Sequence, residues 1–318
     1  MIYYSFILQY SMNIPLCVVH DRFEACILAG AIGDAFGSAY ENIPEKDNSS
    51  IFYWGGIPKY NKIWAITDDT QLTLATCEAL CDTENFTPEL LAKYFLRYKR
   101  QRKLTGLRAS TLKAIRELEV DGHWTQVGRT GDYAAGNGAA MRIAPLGYIN
   151  DITRDEIRNI CIITHRNDEA YVGALAVVIA IKAILKNEWA GDIGIFELLI
   201  SQLPDTKLRD RLIEIDAVAK DASIRGISKL GNSGYVVDSI PFAIFSAAQV
   251  KKIGLAQMFQ DIITTGGDTD TNASIAGQIA GSLIGTDNIP TELMNNLKAL
   301  KEFNWIEETI KKTKLRIG

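Results

Sequence analysis

The chain has 318 residues, 47% of them hydrophobic and 23% charged, a composition suited to a globular protein with one large core. A formal net charge of −4 leaves no basic surplus to displace counterions, which excludes a binder of nucleic-acid backbones. Five cysteines (Cys17, Cys26, Cys77, Cys81 and Cys161) are too scattered for a disulfide scaffold. Cys77 and Cys81 lie one helical turn apart, but a zinc site would need more partners than His20, His123 and His165 supply, so they read as buried free thiols.

From the N-terminus, Met1 to Cys17 is apolar but lacks the basic start of a signal peptide, and Gln9, Asn13 and Pro15 interrupt any membrane span. Residues 1–20 read as an N-terminal arm, or as an over-extended start with Met12 the initiator. Phe23, Ile27, Leu28, Ile32 and Phe36 recur at helical steps. Ile51 to Ile66 is broken by glycine and proline and reads as a folded loop. Helical spacing resumes at Leu72 to Leu80 and again at Leu90 to Tyr98, the latter behind the helix start Thr87-Pro88-Glu89. Thr153 and Glu156 form a capping box, and Asn167-Asp168-Glu169 opens a long helix reaching about Lys186. That helix includes the apolar stretch Ala170 to Leu185, too short for a membrane span and interrupted by Lys182. The basic run Lys311 to Arg316 suits a solvated last helical turn. Period-two runs are nearly missing. The expected fold is all-α, with residues 21–318 forming one compact multi-helix domain, and the expected compartment is the cytoplasm, with no membrane or nucleic-acid partner.

Polar and small residues gather at helix edges in five places: GAIGDAFGSAYE (Gly30 to Glu41), TDDT (Thr67 to Thr70), GNGAAMR (Gly136 to Arg142), THRNDEA (Thr164 to Ala170) and GGDTDT (Gly266 to Thr271). Helix capping is the ordinary account of either acidic cluster alone. GGDTDT strains that account, because one cap needs one side chain and here four oxygen-bearing residues stand in a row. Together the clusters hold four carboxylates and neither motif contains lysine or arginine. If the two helix mouths converge, such acids raise one another's pKa unless a cation neutralises them. All-oxygen donors suit Mg²⁺ or Mn²⁺ rather than zinc, and a pair of ions sharing four carboxylates is the natural solution. In GNGAAMR, two glycines around an asparagine before a helix start suggest a nest of amides for phosphate, against the plain account of a tight turn. His165 by itself reads equally as a satisfied histidine at a helix end, and Glu41 as a surface acid.

In this order the five motifs resemble the ADP-ribosylglycohydrolase family, which includes the dinitrogenase-reductase-activating glycohydrolases. GDAFG is similar to an early helix of that family, TDDT and GGDTDT to its two metal motifs, and GNGAAMR to its diphosphate loop; the likeness runs from about Phe23 to Ile284. It implies an all-α fold with two Mg²⁺ (or Mn²⁺) ions that removes ADP-ribose from modified protein side chains, arginine foremost. By position, Thr67, Asp68 and Asp69 would bind metal from one side and Asp268, Asp270 and Thr271 from the other. Glu41 and Asp69 would handle the proton of the attacking water or leaving group. Gly136, Asn137 and Gly138 would receive the diphosphate, with Met141 close by and His165 near the phosphate or distal ribose. Ala135 stands where some relatives place an aromatic against adenine, which leaves Tyr133 or Phe52 as candidates for that stacking. Two other readings remain: a catalytically idle relative on the same fold, and an immunity protein that neutralises a cognate ADP-ribosyltransferase toxin by hydrolysis or through the N-terminal arm.

Overall fold

The structure, a computed structural model, describes residues 14–41, 63–82 and 86–317. Its regular elements are almost all helical, as the 3.6-residue periodicity dictates. In the first half are α1 (Leu16–Ser38), α2 (Asp68–Asp82), α3 (Pro88–Arg100), α4 (Ala109–Glu119), α5 (Arg154–Ile162) and α6 (Asp168–Leu185). They are followed by α7 (Ile195–Gln202), α8 (Lys207–Ala219), α9 (Val236–Ala248), α10 (Leu255–Thr264), α11 (Thr269–Ile284), α12 (Thr291–Lys298) and α13 (Phe303–Thr313), with single-turn helices between some of them. Among the described residues the only sheet is one parallel pair of two-residue strands, β1 (Arg129–Thr130) and β2 (His165–Arg166). No described helix is long and apolar enough to cross a membrane.

The helix starts follow local chemistry. The Thr87 hydroxyl accepts from Leu90 N at 3.2 Å ahead of Pro88, Thr153 and Glu156 form the expected capping box, and Asn167 Oδ1 accepts from Ala170 N at 3.1 Å. Of the expected N-terminal arm, residues 1–13 lie outside the described residues, while Leu16 to His20 form the first turn of α1. The expected loop at Ile51 to Ile66 lies outside them up to residue 62. Cys26, Cys77 and Cys161 are buried free thiols; Cys81 is half-buried and Cys17 is exposed. The basic C-terminal run straddles the end of α13, with Lys311 and Lys312 in its last turn and Lys314 paired with Glu24 of α1.

Helices α1 and α11 form the centre. Both lack a polar stripe: α1 is buried at nearly every position from Phe23 to Gly37, and α11 from Thr269 to Ser282. A helix apolar all round must be covered all round. The two run antiparallel at unusually close range, and glycine permits it. A Cβ built at Gly33 would collide with the Ala273 carbonyl, and one at Gly37 with the Thr269 carbonyl; from the other side, Gly277 and Gly281 meet the carbonyls of Ala29 and Ala25. Residue numbers in each of these pairs sum to the same value, the signature of one continuous antiparallel seam. The small-residue run after GGDTDT is thus the partner of GAIGDAFG, and the seam sets the N-terminus of α11 beside the C-terminal half of α1.

From that half of α1, the buried Asp34 reaches the start of α2. Its Oδ2 accepts from the backbone amides of Thr67 (2.9 Å) and Thr70 (3.1 Å) and from the Thr70 hydroxyl (2.5 Å), while Oδ1 accepts from the Thr67 hydroxyl (2.7 Å). One carboxylate therefore caps another helix in trans and ties its mouth to α1. Burial pushes the Asp34 pKa up to about 6, against the pull of these four donors.

The seam gives a direct prediction. Gly277→Ala places a methyl group 2.8 Å from the carbonyl carbon of Ala29 and 3.1 Å from Phe259 Cζ, contacts that force the helices apart. Denaturant unfolding should show a loss of about 1–3 kcal/mol. Gly226→Ala, whose nearest neighbour would be Ser223 Oγ at 3.5 Å, should be near neutral. Equal midpoints for the two variants would contradict a tight seam.

Candidate active site

The mouths of α2 and α11 meet. The Thr271 hydroxyl lies 3.3 Å from Asp69 Oδ2, so GGDTDT and TDDT touch directly. The paired glycines allow the approach: Gly266 (φ +67°) and Gly267 (φ +77°) both take the left-handed conformation that disfavours other residues. Asn232, from the loop before α9, clamps this turn. Its backbone carbonyl accepts from Asp268 N at 3.1 Å and from Asn272 Nδ2 at 2.7 Å, and its side-chain amide donates to Gly266 O at 2.9 Å.

Capping occupies the acids only in part: Asp270 Oδ1 accepts from Thr271 N at 2.8 Å. At α2 the cap comes from Asp34 and from the Thr67 hydroxyl, which accepts from Asp69 N at 3.3 Å. At α11, Asp268 holds the N-cap position without a side-chain capping bond. Asp68, Asp69, Asp268 and Asp270 are nonetheless all buried, and Asp69 Oδ1 has no hydrogen-bond partner. Buried carboxylates at this density resist ionisation. Burial and then Asp34 push Asp68 up to about 7, and the same two causes followed by Asp270 hold Asp69 well above the carboxylate range. Asp270 is pushed up to about 9, by burial first and then by Asp268 and Glu41.

One cation answers part of this charge, and sequence reasoning missed it because it belongs to neither acidic motif. Arg108, at the N-cap of α4, pairs with Glu41, lies 2.5 Å from Asp268 Oδ1 and comes within 3.7 Å of Asp270 Oδ1. Burial disfavours its charge, but Asp268, Asp270 and Glu41 outweigh that and hold its pKa above the usual value. Glu41, Asp268 and Asp270 each offer a carboxylate oxygen within 4.8 Å of the others, a cluster that could hold a metal ion. The partnerless Asp69 oxygen and the all-oxygen donor set fit a hard divalent cation.

Beside the acids, one cleft is lined by Asp68, Asp69, Thr271, Gly136, Asn137, Gly138, Met141 and His165. Asn137 to Arg142 forms a 3₁₀ turn. Met141 O pins it in place by accepting from Gln278 Nε2 of α11 (2.7 Å) and from the Thr73 hydroxyl of α2 (3.2 Å). Asn137 Nδ2 donates to Asp268 Oδ2 at 2.6 Å, joining this loop to the acidic cluster. The glycines do not serve the turn. Gly136 has φ −84°, and Gly138 is absent from the left-handed positions, so the expected nest geometry is not formed. His165 requires them instead: a Cβ on Gly138 would fall 2.8 Å from its Cε1, and one on Gly136 3.3 Å from its Nε2. Ser110 and Thr111, in the first turn of α4, line the same cleft and were also missed; an early TGLRAST stretch with no acid or histidine carried no signal for them.

The geometry therefore gathers Thr67, Asp68, Asp69, Asp268, Asp270 and Thr271 around two helix mouths, with Glu41 on the rim beside Arg108 and the glycine loop and His165 alongside. Ala135 is buried, whereas Tyr133 is 88% exposed, and Phe52 lies outside the described residues.

Comparison with known proteins identifies the family. The family model for ADP-ribosylglycohydrolase matches residues 18–317. An uncharacterised protein of Archaeoglobus fulgidus is 29% identical over 83% of this chain and 88% of its own length. ADP-ribosylhydrolase ARH3 of Homo sapiens is 24% identical over 91% of this chain and 93% of its own. A solved structure described as an ADP-ribosylglycohydrolase-related protein complex shares the fold with a TM-score of 0.67 at 22% identity, covering 94% of this chain and 99% of that one. Such a family implies a metal-dependent glycohydrolase with ADP-ribosylated substrates. The chain belongs to the ADP-ribosylglycohydrolase family.

Proposed function

We propose that this protein hydrolyses the glycosidic bond between ADP-ribose and a modified protein side chain, arginine foremost. The observation that carries the reading is the meeting of the α2 and α11 mouths, which sets an acidic centre next to a cleft lined by the glycine loop and His165. Thr67, Asp68 and Asp69 would hold one face of a pair of divalent cations, Mg²⁺ or Mn²⁺, and Asp268, Asp270 and Thr271 the other. When bound, such cations supply Lewis acidity and orientation for water and for the vicinal ribose hydroxyls.

The remaining chemistry belongs to the chain. Gly136, Asn137, Gly138, Met141 and His165 position the diphosphate and distal ribose, which fixes the anomeric carbon over the acids. As the water oxygen bonds to that carbon and the carbon–nitrogen bond breaks, Asp69, ionised once a cation answers its burial and its acidic neighbours, takes the water's proton. Glu41, with a quarter of its side chain exposed, stands where a leaving group departs and can return a proton to it. Arg108 already pairs with Glu41, so a substrate guanidine would take the place of the Arg108 guanidinium on that acid. That all six residues assigned to the cations are present favours an active enzyme over an idle relative.

Incubation with mono-ADP-ribosylated arginine and serine peptides and with O-acetyl-ADP-ribose, with and without Mg²⁺, tests the assignment. Release of ADP-ribose from the arginine conjugate alone is expected; release from another substrate reassigns the linkage, and release from none removes the activity. Asp270→Asn should fold normally, because the amide keeps the size of the carboxylate and an oxygen that can accept from Thr271 N as Asp270 Oδ1 does at 2.8 Å, yet turn over at least about a hundredfold more slowly. Near wild-type turnover of that variant at saturating Mg²⁺ would rule out a charged ligand at this position. Chelation should also lower the melting temperature, because a cation bound only by the folded state stabilises it. An unchanged melting curve would argue that no cation is bound there.

A further inference from the structure

Arg142 is a large, fully buried side chain, and among the described residues no carboxylate pairs with it. Its guanidinium lies over the Phe95 ring, 5.2 Å from the centroid, and donates to Gly138 O and, at 2.7 Å, to the Thr164 hydroxyl oxygen. The same Thr164 oxygen lies 2.7 Å from His165 Nδ1. Both ends of this chain reach the cleft: Gly138 belongs to the glycine loop, and the far side of the His165 ring faces Gly136 and Gly138.

We propose that Arg142 and Thr164 are positioning residues that fix His165 as the neutral Nε2–H tautomer, so that it presents one uncharged N–H donor to an anionic oxygen of the ligand. The reasoning is donor arithmetic. Arginine has only donors, so its bond to Thr164 uses a lone pair of that oxygen. The threonine hydroxyl has one hydrogen, and the remaining partner within reach is Nδ1. An Nδ1–H would have to use the oxygen's second lone pair and leave that buried hydroxyl hydrogen unpaired. Nδ1 therefore accepts, which puts the ring hydrogen on Nε2, the nitrogen 3.2–3.3 Å from the Cβ positions that Gly136 and Gly138 leave empty. The charged form is disfavoured independently: burial, then Arg142 and Arg129, bring the His165 pKa down to about 3. A buried cation without an anion thus has a task here, since a carboxylate at the Arg142 position could not force the threonine proton toward the imidazole. The part of the proposal concerning the ligand rests on reading the cleft as the diphosphate site.

Full-length protein labelled with ¹⁵N-histidine decides the matter at pH 7, with His165 assigned by comparison with His165→Gln. Two-bond proton–nitrogen correlations should show a single Nε2–H tautomer for His165 before any ligand is added. Thr164→Val should populate both tautomers and weaken ADP-ribose binding about tenfold, while Thr164→Ser keeps the wild-type spectrum and affinity. An Nδ1–H ring or an imidazolium in the wild type overturns the proposal, as does an unchanged spectrum in Thr164→Val. If the valine variant fails to fold, the wild-type spectrum still decides the tautomer. The predicted tautomer without ADP-ribose binding would uphold the relay and overturn the reading of the cleft.

Discussion

The site depends on two helix backbones being allowed to touch. Helices α1 and α11 approach through Gly33, Gly37, Gly277 and Gly281, each opposite a carbonyl of the other helix, where any side chain would collide. This contact fixes where α11 begins relative to α1. Asp34 on α1 then fixes where α2 begins. Two mouths set by one helix can be held in register without contacting each other through much structure of their own. The apolar body of α11 is therefore an anchor, and the oxygen-rich residues at its mouth are presented by it.

That arrangement is electrostatically expensive, and the rest of the site answers the cost. Asp34 satisfies the Thr70 amide and the Thr67 hydroxyl the Asp69 amide, which spares the Asp69 carboxylate that duty. Arg108 compensates Glu41, Asp268 and Asp270 from the rim, while Asn137 ties Asp268 to the glycine loop. Arg108 and a divalent ion would compete for the same three carboxylates, those of Glu41, Asp268 and Asp270. On the His165 side the pattern inverts, with a histidine held neutral and, behind it, a buried arginine that has no acid partner among the described residues. Acid on one side and polar N–H groups on the other suit a ligand with both hydroxyls and phosphates.

Much of this was legible in the sequence because its causes are local. Periodicity gave the helices, and threonine, proline and asparagine marked their starts at Thr87, Thr153 and Asn167. Four acids in two short motifs pointed to a shared centre. What escaped depends on contacts between distant segments. Gly277 and Gly281 read as small residues in a greasy run until Ala25 and Ala29 are set against them. Asp34 sat in a quoted motif without a role, since its four donors come from Thr67 and Thr70 across more than thirty residues. Arg108 lay in neither acidic motif, so the acids appeared to lack any basic partner. Gly136 and Gly138 suggested a backbone turn, although the space they leave is filled by a histidine ring that arrives from residue 165.

The central claim is that the two helix mouths form one centre for two divalent ions, and titration with Mn²⁺ followed by electron paramagnetic resonance reads this most directly. Two ions per chain with an exchange-coupled spectrum are expected, and Asp270→Asn should abolish the coupling. A single uncoupled ion, or binding that Asp270→Asn leaves untouched, would contradict it.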